Sequence, residues 1–226
     1  MKKRIQIDGM FAMFLVILTG CLFFWKNFYI TNEIVSSIVG ILGFIFIFLG
    51  GLLRMAARGH KKKNSQRGRS LVISGPYLFV RNPMYLGSLL IGSGFVILFW
   101  PWWILPIFVV FFWLRFNPQM VKEEKFLVQN FKGKYEDYCR KVGRLFPRLK
   151  SLKETKVKAI FNWPEALSTN EKNTLLTCLG LAFFLRIIQQ KIILGRIHWT
   201  ETFLLFVSAV FIMVVISGVE YRQKDN

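Results

Sequence analysis

Acidic residues and histidines are scarce in this sequence, and that scarcity sets the first limits. Its 226 residues carry 12 Asp or Glu against 31 Lys or Arg, with two His and three Cys. Cys21, Cys139 and Cys178 follow no metal-ligand or redox spacing, so neither a thiolate site nor a disulfide framework is expected. The sequence contains no G-x-G-x-x-G turn, no phosphate-binding loop, no internal repeat and no low-complexity tract. Nothing in it resembles a nucleic-acid recognition module, so the formal net charge of +19 is not read as a nucleic-acid footprint.

Charge is also missing from long stretches. No charged residue lies between Asp8 and Lys26, Glu33 and Arg54, Arg81 and Arg115, or Glu201 and Glu220. A spanning helix needs roughly 20 apolar residues, and these runs are long enough. The run 82–114 accommodates two short spans, with Trp100-Pro101-Trp102-Trp103 at its middle. Proline breaks a helix and Trp favours the headgroup layer, so a tight helical hairpin is expected there. A weaker fifth span covers about 174–194 and contains Arg186. The expected fold is therefore an all-α polytopic integral membrane protein with about six transmembrane helices. Two spans fill 1–54, a core with the hairpin fills 55–173, and two more fill 174–226.

Orientation follows from the cations. Eight Lys or Arg lie in 54–81 and fourteen in 115–172, while the other loops are nearly free of them. Lys and Arg stay on the cytoplasmic side, so both termini and both long loops are expected there. The run Arg58-Gly59-His60 to Arg69 reads as a solvated loop against anionic lipid headgroups. His60 and His198 then fall on opposite sides, and neither a zinc site nor a Ser-His-Asp triad is expected. Leu18-Thr19-Gly20-Cys21 imitates a lipoprotein cleavage box, but the apolar run continues beyond it, which favours a simple first span.

Three polar–aromatic stretches interrupt this pattern. In SGPYLFVRNPMYLG (74–87), Asn82 suits a helix N-cap and Pro83 the first helical position. In NPQMVKEEKFLVQNF (117–131), Glu124 projects into an arc of apolar residues with Glu123 at its edge. A carboxylate there needs a partner: either a salt bridge to a basic residue or a cationic ligand. In FKGKYEDYCRKVGRLFP (131–147), Tyr135, Tyr138 and Val142 recur at helical spacing, and Arg144 is placed at a helix end before Pro147.

Together these stretches, from about 75 to 147, resemble the isoprenylcysteine carboxyl methyltransferase and phospholipid methyltransferase superfamily. That resemblance implies a membrane enzyme using S-adenosylmethionine in a cytoplasmic helical pocket, with a lipophilic acceptor arriving from the bilayer. It places Tyr77, Arg81, Asn82, Pro83, Tyr85, Gly87, Glu123, Glu124, Tyr135 and Tyr138 at the cofactor. Glu124 and Arg144 are the catalytic candidates, and no metal is implied. Where this chain has Asn82 many members have His, so proton transfer at that position is lost. The acceptor is left as an isoprenylcysteine-type carboxylate, a phospholipid amine or a small hydrophobic molecule. The alternatives are an NADPH-dependent reductase of sterol-reductase type, against which Met84 and Ser88 count, and a non-catalytic lipid-binding protein.

Overall fold

The computed structural model describes Thr19, residues 32–148, 162–167, 169–205 and Val207. The expected first span and the cleavage-box imitation lie outside the described residues apart from Thr19, as does most of the sixth span. Helix α1 runs Glu33–Asn64, α2 Pro83–Phe99, α3 Ile104–Phe131, α4 Gly133–Lys141, α5 Trp163–Leu167 and α6 Glu171–Ile193. Short 3-10 turns at Gln66–Gly68 and Gly75–Leu78 link α1 to α2, and residues 199–205 are helical again. No strand occurs among the described residues. Helices α1, α3 and α6 are long and apolar enough to cross a membrane, and α2 is a shorter apolar helix.

The hairpin falls at Trp100–Trp103, between α2 and α3, as the proline and tryptophans indicate. Three expectations need correction. The basic run after Arg58 is mostly helix, because α1 continues to Asn64 with Lys61, Lys62 and Lys63 in its last turn. Cations there are favoured by the helix dipole. At 32 residues α1 is about 48 Å long, well beyond the roughly 30 Å hydrocarbon layer, and it carries the lead-in part across the boundary at 54/55. Second, α3 is one helix of 28 residues that passes through Pro118, so the membrane span and the acidic stretch form a single rod. Third, α4 stops at Lys141 with Val142 extended, leaving Arg144 in a loop rather than at a helix end.

Between α1 and α2 the packing is set by glycine. A Cβ on Gly50 would lie 2.6 Å from the Gly87 carbonyl oxygen, and one on Gly94 would lie 2.6 Å from that of Gly43. The two pairs are spaced seven residues apart on each helix, as antiparallel neighbours require. In lipid there is little hydrophobic gain from helix contact, so close backbone approach supplies the van der Waals attraction. Helix α6 closes the other side, setting Leu175, Leu179, Ala182 and Leu185 against Phe44, Ile47 and Met55 of α1.

The polar residues of α6 pack inwards. Arg186 is buried, with Nε 3.0 Å from Glu201 Oε1, and it donates to Gln189 Oε1 and the Ser36 carbonyl, each at 2.8 Å. Gln189 donates to the Leu98 carbonyl at 3.1 Å and Gln190 to Glu201 at 2.9 Å. Arg186, Gln189 and Gln190, which share one helical face, thus form a polar seam that ties α1, α2, α6 and 199–205 together.

Candidate functional site

The chain turns sharply at Arg81-Asn82-Pro83, and backbone bonds hold that turn. The Arg81 and Asn82 amides donate to the Gly143 and Arg144 carbonyls at 2.8 and 3.1 Å. This pairing brings the end of the α4 segment against the start of α2. Asn82 occupies the N-cap position, but its side chain makes no cap bond there. The carboxamide instead donates towards Arg144 O at 3.3 Å and Glu124 Oε1 at 3.4 Å. The expected side-chain cap is therefore absent, the carboxamide being turned to the tertiary contact with Glu124 and the Arg144 carbonyl.

Glu124 sits between two guanidinium groups. Arg144 Nε lies 3.1 Å from Oε2 and Arg81 Nη1 3.5 Å from Oε1. Of the two expected partners for this carboxylate, protein cations occupy it. Arg144 is itself held by Asn117 Oδ1 at 2.7 Å and lies over the Trp113 ring. Glu123 points elsewhere and accepts from Tyr85 Oη at 2.7 Å and Gln119 Nε2 at 3.0 Å. The Arg81 Nε and Arg144 Nη2 groups are buried without a hydrogen bond, and of the two residues only Arg81 lines the adjoining cavity. Burial works against the Arg81 charge, but Glu124, Cys139 and Tyr135 together more than offset it and leave the arginine more basic than usual.

A cavity of about 880 Å³ opens beside these groups, within the size range of small-molecule sites. Tyr77, Arg81, Asn82, Pro83, Tyr85, Glu123, Glu124, Tyr135 and Tyr138 all line it. Tyr138 Oη donates to the Tyr77 carbonyl at 2.6 Å, locking α4 onto the 3-10 turn. Burial raises the pKa of Tyr77, Tyr135 and Tyr138, so all three phenols stay protonated and act as donors. Two candidates face away. Gly87 packs against α1, where its Cβ position is 2.6 Å from Arg54 Cγ, and Arg144 supports Glu124 from behind the wall.

Residues of α1 that the sequence reading passed over complete the lining. Arg54, Arg58, Lys61 and Lys62 form a basic wall, and Ser88 faces them from α2. Arg54 and Arg58 share the buried Glu171 carboxylate at 2.9 and 2.8 Å. The signal was the i, i+4 spacing of the two arginines followed one turn later by the lysines. It was obscured because that stretch read as a loop.

The fold and this cavity define a class: an all-helical integral membrane protein whose polar, aromatic-lined chamber lies at the basic end of its helices. Residues 12–134 match the phospholipid methyltransferase family, more than half of the chain, and the protein belongs to that family. It is also 30% identical over 119 residues to Protein-S-isoprenylcysteine O-methyltransferase of Saccharomyces cerevisiae. That similarity covers 49% of this chain, which spans about half, 50%, of the relative's length. No solved structure matches it.

Proposed function

We propose that this protein is an S-adenosylmethionine-dependent methyltransferase of the membrane that acts on a lipophilic carboxylate. The observation that carries the reading is the charge layout of the cavity. Glu123 and the unpaired Arg81 Nε offer one acceptor and one donor in its wall, facing aromatic rings and a basic rim. These residues fit the cofactor: Glu123 for its ammonium, Arg81 for its carboxylate, and Phe116, Phe131 and Tyr135 for its purine and sulfonium. When bound, the cofactor supplies a methyl group activated on a positively charged sulfur.

The chain's own residues select the acceptor. Glu124 is committed to Arg81 and Arg144, and the three buried phenols keep their protons. The wall therefore has little capacity to take a proton from an ammonium acceptor. Arg58, Lys61, Lys62 and Lys122 repel such a cation and attract a carboxylate, which attacks without losing a proton. Phe116 and Phe126 on α3 give the acceptor's apolar tail a surface. Alignment of nucleophile and methyl supplies much of the rate in an in-line displacement of this kind. In the same reading both termini are cytoplasmic in a bacterial inner membrane, and the basic end rests on anionic headgroups.

Titration of the purified full chain in lipid nanodiscs with S-adenosylmethionine tests the cofactor, with saturable binding expected. Saturable binding of NADPH instead would establish the reductase reading; binding of neither would favour a lipid-binding role. Transfer of labelled methyl groups to a prenylcysteine analogue should give a product that releases methanol in base, as esters do. Label found only on phosphatidylethanolamine would overturn the choice of a carboxylate.

A further inference from the structure

His60 makes a constellation that the methyl-transfer site does not use. Its ring leaves α1 on the face opposite the basic wall and meets α5 and the 3-10 turn. Nδ1 lies 2.8 Å from Glu165 Oε2, and Nε2 lies 2.9 Å from Ser74 Oγ. With the Nδ1 proton donated to the carboxylate, Nε2 is left as an acceptor for the serine hydroxyl. A hydroxyl, an imidazole and a carboxylate in line are the arrangement that activates a serine nucleophile. The two histidines' separation argued against a triad, but one histidine is enough.

The surroundings support chemistry at this hydroxyl. Ser74 is exposed, whereas the His60 and Glu165 side chains are 15% and 10% accessible, so the nucleophile faces solvent and its base is sheltered. Burial works to raise the pKa of Glu165, but His60 and Lys63 more than offset it and hold the carboxyl below its ordinary range. Gly75 follows the serine at φ +62°, and a Cβ there would sit 2.9 Å from the imidazole ring. The glycine thus lets the ring lie flush on the backbone, with the Gly75 amide adjacent to the hydroxyl. Ile73 and Leu78, 44% and 37% exposed, flank Ser74 and give an acyl chain an apolar surface.

We propose that Ser74, His60 and Glu165 form a second catalytic site, which cleaves esters or thioesters of amphiphiles at the membrane surface. Ser74 Oγ bonds to the acyl carbon while its proton passes to His60 Nε2. The bond to the leaving alcohol or thiol then breaks, and that group takes the proton. Water then attacks the acyl carbon and gives a proton to His60 Nε2, which passes it to Oγ as the acyl–Oγ bond breaks and a carboxylic acid departs. The net reaction consumes one water and no oxidant. This activity is independent of the methyl-transfer reading.

A fluorophosphonate probe on the full chain in nanodiscs, followed by peptide mass spectrometry, tests the proposal. An adduct on Ser74 is expected, absent in Ser74→Ala and formed about a hundredfold more slowly in His60→Gln, the scale of general-base assistance. Hydrolysis of a p-nitrophenyl acyl ester should fall in parallel in both variants. Thermal melts of each variant show that the fold persists, and Ser74→Ala removes only an exposed hydroxyl. No adduct on Ser74, or equal labelling in folded His60→Gln, would overturn the assignment and leave His60 as a latch between helices.

Discussion

Substituting Gly87 by Ala probes both the fold and the assignment of this residue. The new Cβ would lie 2.6 Å from the Gly50 carbonyl oxygen and 2.6 Å from Arg54 Cγ, where ordinary contact begins at 3.4 Å. Helices α1 and α2 must therefore part by about 0.8 Å at this level, or the Arg54 stem must swing away. Close-packed interiors do not absorb such a shift freely, and overpacking of this kind costs about 1–3 kcal/mol. Gly50→Ala should cost a similar amount, because its Cβ meets the Gly87 carbonyl at 2.6 Å. The double variant should lose less than the sum, since one separation relieves both contacts. Gly180, with open space around its Cβ position, is the control: Gly180→Ala should gain up to about 1 kcal/mol from helix propensity. Equilibrium unfolding in mixed micelles reads the stabilities, and titration with S-adenosylmethionine reads the site. If Gly87→Ala and Gly50→Ala unfold like the parent, the close-approach reasoning is wrong. Loss of cofactor affinity in Gly87→Ala at unchanged stability would instead put Gly87 in the cofactor wall.

Three further outcomes follow from the ion pairs. Glu124→Gln strips Arg81 and Arg144 of their shared carboxylate; with each guanidinium about a fifth exposed, the expected loss is about 1–3 kcal/mol, with at least tenfold weaker cofactor binding by calorimetry. Arg186→Met leaves the buried Glu201 without a cation, held only by Gln190 and Ser37, and should cost about 3–5 kcal/mol in unfolding assays, whereas adding Glu201→Leu should recover most of it. Glu165 has its pKa lowered from the ordinary 4.5, so its contribution to stability is full above that value and lost as pH falls through the lower folded value. Melts of the parent and Glu165→Gln across that acid window should converge as pH falls, and a constant gap would remove the linkage.

Much of the membrane architecture was legible in the sequence because lipid imposes simple rules. Charge-free runs mark α1 and α2 with α3, a weaker apolar stretch around Arg186 marks α6, and Pro101 among tryptophans marks the hairpin. Glu124, with apolar neighbours on its own helix, had to find a partner wherever the chain led. A resemblance in order and spacing, not local physics, grouped the three polar–aromatic stretches, and most of their singled-out residues line one cavity. Local physics misled at Asn82, whose capping preference lost to Glu124 and the Arg144 carbonyl, and at the end of α4, which the Gly143–Arg144 backbone pairing stops early.

What the sequence alone determined was therefore the class: helices, membrane and a basic end. Only tertiary structure decided the partners. Arg54 meets Glu171, Ser74 and Glu165 meet His60, Gly43 and Gly50 meet Gly94 and Gly87, and Arg186 meets Glu201. Periodicity reports which face of a helix is apolar, but not which helix that face meets or how closely. Those choices follow from backbones approaching at glycines and from buried charges that had to be paired, and both depend on residues far apart in the chain.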